Sequence, residues 1–211
     1  MWNPLAIDTV LQGLELKIHF FGLIAACIAS LVHVTFIYAM VTDDKVSPPR
    51  SSWFLWLLLD AIAFGSKLDD GMFDATLLEY TIGTAAVALC TLRYGVHAWT
   101  QLETWCTIFV VASILVWMVA SNPILATICS MSGITVAALP IVRRVFDGEY
   151  EPLLAWCLGF TGSFVNTLDG QIMTSVWFMF IQGLVIAPVI YHYHWKEKPV
   201  PIPIPIVETI D

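Results

Sequence analysis

Asp60 puts a carboxylate where a carboxylate is costly. It lies in SSWFLWLLLDAIAFGSK, with apolar residues on both sides. A charged group at the middle of a membrane-crossing helix costs about 2.5–3.5 kcal/mol on insertion scales, so it faces a cavity or a partner. Asp60 could accept a hydrogen bond from a solute or carry a proton. The alternative is a structural carboxylate bonded to a Ser, Thr or His of a neighbouring helix. The functional reading is favoured. Trp56, one turn earlier, and Trp156 form the second candidate. Two indoles could stack on a flat or sugar-like ligand or close an entrance, and an interfacial aromatic belt accounts for them equally well.

Counting 100° per residue places 56, 60, 63 and 67 on one stripe, and 156, 159, 163 and 166 or 167 on another. Ala63, Gly159 and Ser163 are small and leave room there. Ser66, Ser163, Asn166 and Gln182 supply the neutral donors and acceptors that a polar solute needs. Hydrogen bonding between packed helices, about 0.6 kcal/mol per contact, would explain the same residues. The expected substrate-binding set is therefore Trp56, Asp60, Ser66, Trp156, Ser163, Asn166 and Gln182. Pro140 is the expected gating residue, since a proline inside a helix removes a backbone bond and kinks it.

Other chemistry finds little support. His33 lies within a span and could pair with Asp60. His192 and His194 read as an interfacial cluster, and neither the five histidines nor the five cysteines show metal-site spacing. Cys27, Cys90, Cys106, Cys129 and Cys157 read as small packing residues. No catalytic residue, metal or cofactor is expected. Glu79 groups with Asp69, Asp70 and Asp74 as acids at span ends, so no second deep carboxylate is expected beside Asp60. Asp69 and Asp169 could form an acidic vestibule, although solvated helix-end acids are the plainer reading.

The elements that position these residues follow from composition. Apolar residues make up 58% of the chain and charged residues 12%, with a mean hydropathy of +0.79. Soluble domains carry about 45–50% and about 25%. Seven apolar segments are long enough to cross a bilayer: 18–41, 51–67, 76–95, 104–120, 123–142, 152–168 and 172–191. Their length excludes a β-barrel. With seven spans, Lys45, Arg50, Arg93, Arg143, Arg144, Lys196 and Lys198 fall on one side, and only Lys17 and Lys67 on the other. The positive-inside rule then sets the N-terminus outside and the C-terminus in the cytoplasm. Residues 1–17 lack a basic stretch and read as an extracytoplasmic segment without a cleavable signal. The tail 194–211, with PVPIPIPIVETID, reads as extended and cytoplasmic. A net charge of −8 argues against nucleic acid.

The chain also matches itself at an offset of one hundred residues. WLLLDAIAFGSKLD at 56–69 meets WCLGFTGSFVNTLD at 156–169, with identities at Trp56/Trp156, Leu58/Leu158, Phe64/Phe164, Leu68/Leu168 and Asp69/Asp169. Gly83/Gly183 keeps the same offset. The two copies lie four spans apart, an even number, so they cross in the same direction and form parallel repeats. The expected fold is an all-α membrane protein of seven transmembrane helices. It divides into two three-helix units, 18–95 and 122–193, joined by a linker helix within 96–121. Trp105 and Trp117 flank that linker as interface anchors.

This three–one–three arrangement resembles the SWEET and PQ-loop-repeat superfamily of small membrane transporters. Pro140 in GITVAALPIVRRVFDGEYEPLLAW stands where that family's first-helix proline would fall, and Pro48-Pro49-Arg50-Ser51 precedes the second span. No Pro-Gln dipeptide occurs, which points to the uncharacterised bacterial relatives of that superfamily. The resemblance implies a transporter or facilitator of a small polar solute working by alternating access. It also implies location in a bacterial inner membrane. Expected partners are membrane lipid, the solute, and a homo-oligomer or membrane-complex partner. Two other functions stay open: a membrane-embedded enzyme of terpenoid-cyclase type, and a non-transporting binding or assembly subunit. A retinal photoreceptor is disfavoured because the last span has no lysine.

Overall fold

The computed structural model describes residues 20–69, 73–96, 99–120, 123–168, 170 and 172–192. These form seven helices: α1 Phe20–Thr42, α2 Arg50–Asp69, α3 Ala75–Tyr94, α4 Gln101–Ala120, α5 Pro123–Phe146, α6 Leu153–Thr167 and α7 Ile172–Tyr191. Each coincides with one of the seven apolar segments. The segments 1–17 and 194–211, Asp70, His194 and Asp169 lie outside the described residues, as do the side chains of Ser66, Asp69 and Trp117.

Local chemistry sets the helix ends. α4 starts three residues ahead of its apolar segment because Thr100 and Glu103 form a reciprocal capping box. The Thr100 N–H donates to Glu103 Oε2 at 2.6 Å, and the Glu103 N–H donates to Thr100 Oγ1 at 3.3 Å. The remaining Glu103 oxygen accepts from Ser51 at 2.6 Å, so this buried carboxylate also ties α4 to α2. Asp74 caps α3 by accepting from the Leu77 N–H. At the opposite end of α3, the guanidinium of Arg50 donates to the carbonyls of Thr91 and Leu92. α5 runs four residues beyond its apolar segment and ends on Arg143 and Arg144, where cations suit the helix dipole.

α1 packs on α3 and α6, and α2 on α3 and α5 with a shorter contact to α4. α5 also packs on α4 and α7, and α6 on α7. The bundle has a near end, where α2 and α6 begin, and a far end, where they finish. Its interior is apolar and small-residue-rich along α1, where Ala25 and Ala29 are fully buried. Three helices, α1, α3 and α7, are long and apolar enough to cross a membrane. Leu31, Val34, Ile82, Leu89, Trp105, Val119, Ile172 and Val176 are among many large apolar side chains left on the outer surface. Cys27 and Cys157 sit on that surface too, so only Cys106 is a buried packing thiol in the expected sense.

Candidate functional site

Most of the expected site residues converge, but on two clefts rather than one. The near cleft has about 580 Å³ of empty space, its mouth included, and is lined from α1, α2, α3, α5, α6 and α7. Trp56, Asp60, Trp156 and Gln182 line it. The smaller far cleft, about 350 Å³ on the same measure, holds Ser163 and Asn166 with Thr76, Lys67 and Asp74. Tyr80 and Phe178 line both. Their rings stack face to face, 5.4 Å apart and 5° from parallel, and form the partition between the clefts. The stripe 156, 159, 163, 166 therefore passes from one cleft to the other along α6.

Asp60 is 5% exposed and accepts from Thr84 Oγ1 at 3.1 Å. His33 and Glu79 are close enough to act on it electrostatically. The expected His33–Asp60 pair is not formed directly. His33 Nδ1 instead lies 3.0 Å from Glu79 Oε1, with both side chains largely buried. Glu79, one turn into α3, is thus a second largely buried carboxylate, paired rather than solvated. The pair exists because Gly83, one turn further along α3, has no side chain: a Cβ there would overlap the imidazole. Gly183 has nothing within 4 Å of its Cβ position, so the glycines of the repeat are not equivalent in use.

The two tryptophans of the repeat meet, with ring centroids 6.2 Å apart and edge to face. Trp53 lies 5.2 Å from Trp56, and Phe36 closes the cycle at 4.9 Å from Trp53 and 5.4 Å from Trp156. Four aromatic rings therefore line the near cleft, and Trp53 among them is only 3% exposed. Each repeat indole is held differently. Trp56 Nε1 donates to the Ile134 carbonyl at 3.0 Å, whereas Trp156 Nε1 donates to Glu151 Oε2 at 3.3 Å. Glu151 is buried in the turn before α6, and burial pushes its carboxyl up to about 7. The Trp156 bond and the nearby Arg144 guanidinium oppose that rise, and Glu149 adds to it.

The neutral groups follow the same division. Gln182 Oε1 accepts from Ser163 Oγ at 3.2 Å across the partition, and Tyr80 lines both clefts beside them. Gly159 opens the space for Gln182, since a Cβ there would stand 2.8 Å from Nε2. Asn166 Oδ1 accepts from Thr76 Oγ1 at 3.4 Å, beside the Lys67–Asp74 ion pair. Ser66 lies in the same helix as Lys67, but its side chain is outside the described residues. Pro140 lies inside α5, away from the residues that line either cleft. Among the described residues no cluster of His, Cys, Asp or Glu could hold a metal.

Glu79, Tyr80, Thr84, Phe36 and Phe178 are site residues that sequence reasoning does not assign. A signal for two of them, Tyr80 and Thr84, exists. Thr76, Tyr80, Thr84 and Thr91 recur at helical spacing in an otherwise apolar span, and such a polar stripe faces protein or a cavity rather than lipid. Comparison with protein-family models, with curated proteins and with solved structures finds no match to this chain.

Proposed function

We propose that the chain is an integral membrane protein that moves a small polar solute across a bilayer by alternating access. The carrying observation is the pair of clefts that meet at Tyr80 and Phe178 with the buried Asp60 beside them. A permeation path needs polar groups inside an apolar bundle, reachable from each end and interrupted between. Along α6 the lining residues run from Trp156 and Gly159 in the near cleft to Ser163 and Asn166 in the far one, which supports this reading. The near cleft is the cytoplasmic one and the far cleft the outer one, with the N-terminus outside, in keeping with the excess of basic residues at the near end.

The site lies between two parallel three-helix units with α4 as the linker. Helix packing supports this: exchanging α1, α2 and α3 with α5, α6 and α7 maps α1–α3 contact onto α5–α7. The same exchange maps α2–α3 onto α6–α7, and α2–α5 onto α6–α1. No α4 residue is among those lining either cleft. The exposed apolar side chains suit lipid, and Pro140, inside α5, serves as a hinge. Uptake into proteoliposomes across a panel of small metabolites tests the proposal. Solute should accumulate above protein-free vesicles, and Asp60→Asn should lower the rate at least about tenfold, the equivalent of one charge-assisted hydrogen bond. If no solute moves, transport is the wrong reading.

One observation favours a second reading. Glu79 gives Asp60 a neighbouring, largely buried carboxylate of the kind an isoprenoid-protonating enzyme would need. Conversion of a polyprenyl substrate to a cyclic product by the purified protein would replace transport with catalysis.

A further inference from the structure

We propose that the near cleft takes a small organic cation, an ammonium group on a short chain that also carries one neutral acceptor oxygen. This deepens the transport proposal and concerns the same site.

Three features of the lining converge on that chemistry. The first is charge. The titratable groups at this cleft are Asp60, His33 and Tyr80, with Glu79 paired to His33, and no Lys or Arg is among the lining residues. One carboxylate, Asp60, thus lines the cleft beside one imidazole, whose own partner, Glu79, is not among the lining residues. The nearest basic side chain on the same stripe, Lys67, lines the far cleft and is bonded to Asp74. The second is hydrogen-bond supply. Asp60 lines the cleft with Thr84 as the one protein donor on its carboxylate, and an ammonium brings three donors and no acceptor. The third is the wall. Phe36, Trp53, Trp56 and Trp156 line the same cleft, and the faces of such rings attract a cation by about 2 kcal/mol once water is excluded.

One donor is left over, and it defines the rest of the ligand. Trp53 Nε1 is buried without a partner among the described residues, in a side chain 3% exposed that lines the cleft. A buried indole N–H without an acceptor is costly, so a hydroxyl or carbonyl oxygen on the solute would satisfy it. A carboxylate on the solute would instead bring a second negative charge to a lining that has no Lys or Arg. Amino alcohols and amide-bearing amines fit; amino acids and sugars do not.

The test uses the full chain in detergent and four probes: ethanolamine, n-propylamine, ethylene glycol and glycine. Binding is read by thermal stabilisation, which a ligand of the native state produces by mass action, and by titration calorimetry. Ethanolamine should bind best, and propylamine about tenfold more weakly for want of the acceptor. Ethylene glycol and glycine should not bind. Asp60→Asn should weaken ethanolamine by at least about tenfold. Should that variant misfold, Trp53→Phe decides: it keeps a ring but removes the N–H, and should bring ethanolamine down to the level of propylamine while leaving propylamine unchanged. Equal binding of ethylene glycol, stronger binding of glycine, no binding by any probe, or an unaffected Trp53→Phe would each overturn the proposal. Cation binding without uptake would instead retract transport alone. Uptake of a neutral solute without cation binding would retract the cation and keep transport.

Discussion

Gly83→Ala and Gly183→Ala are the same substitution at corresponding positions of the repeat, and they should behave oppositely. At Gly83 the added methyl overlaps the His33 ring. Forcing the ring aside costs about 1–3 kcal/mol as overpacking. Moving it also breaks the His33–Glu79 pair, a bond to a charged group worth about 1.5–3 kcal/mol. Alanine returns about 1 kcal/mol through helix propensity, which leaves a net loss of roughly 1.5–5 kcal/mol by these same terms. At Gly183 nothing lies within 4 Å of the new methyl, so only the propensity gain remains. Thermal unfolding of each variant in the same detergent, followed by circular dichroism, measures the difference. Gly83→Ala should unfold several degrees below wild type, and Gly183→Ala at or slightly above it. Equal midpoints would mean that His33 does not occupy the space that Gly83 leaves, and the buried charge cluster around Asp60 would have to be abandoned.

Two further outcomes follow from buried polar groups. Glu151 ionises near 7 in the folded chain against an ordinary value of 4.5, so the folded state holds more protons than the unfolded one between those values. Stability should therefore fall as pH rises through that window, by on the order of 3 kcal/mol in all, and Glu151→Gln should flatten the fall; a wild-type midpoint constant from pH 5 to 7.5 would contradict it. Ser52 Oγ is fully buried with no partner among the described residues. Ser52→Ala should stabilise the protein by about 1 kcal/mol, and a lower midpoint would show that the hydroxyl has a partner.

The helices were legible because apolar runs of this length allow no other structure, and Trp56/Trp156 because tryptophan is rare enough to mark a register. Asp60 was legible from its depth alone. Glu79 was not: counted from the edge of its span it looks like a headgroup-level acid, and only a histidine from α1 and a glycine on its own helix draw it inward. Trp53 was not singled out because its neighbours on the same helix are apolar; it packs against Phe36, which comes from α1. The division into two clefts rests on Tyr80 and Phe178, residues from α3 and α7 with no local pattern in common. Packing between distant segments leaves no mark in either segment read separately.

Two-sided access to the region around Gln182 tests the central claim most directly. Gln182 lies at the partition, bonded to Ser163 of the far cleft while lining the near one. In a chain whose five cysteines are replaced by alanine or serine, a single Gln182→Cys is exposed to a membrane-impermeant thiol reagent from one face of oriented proteoliposomes and then from the other. Alternating access requires labelling from both faces, with Asn166→Cys labelled from the outer face alone. Labelling of Gln182→Cys from one face only would show that the two clefts never exchange, and would leave a binding pocket in place of a pathway.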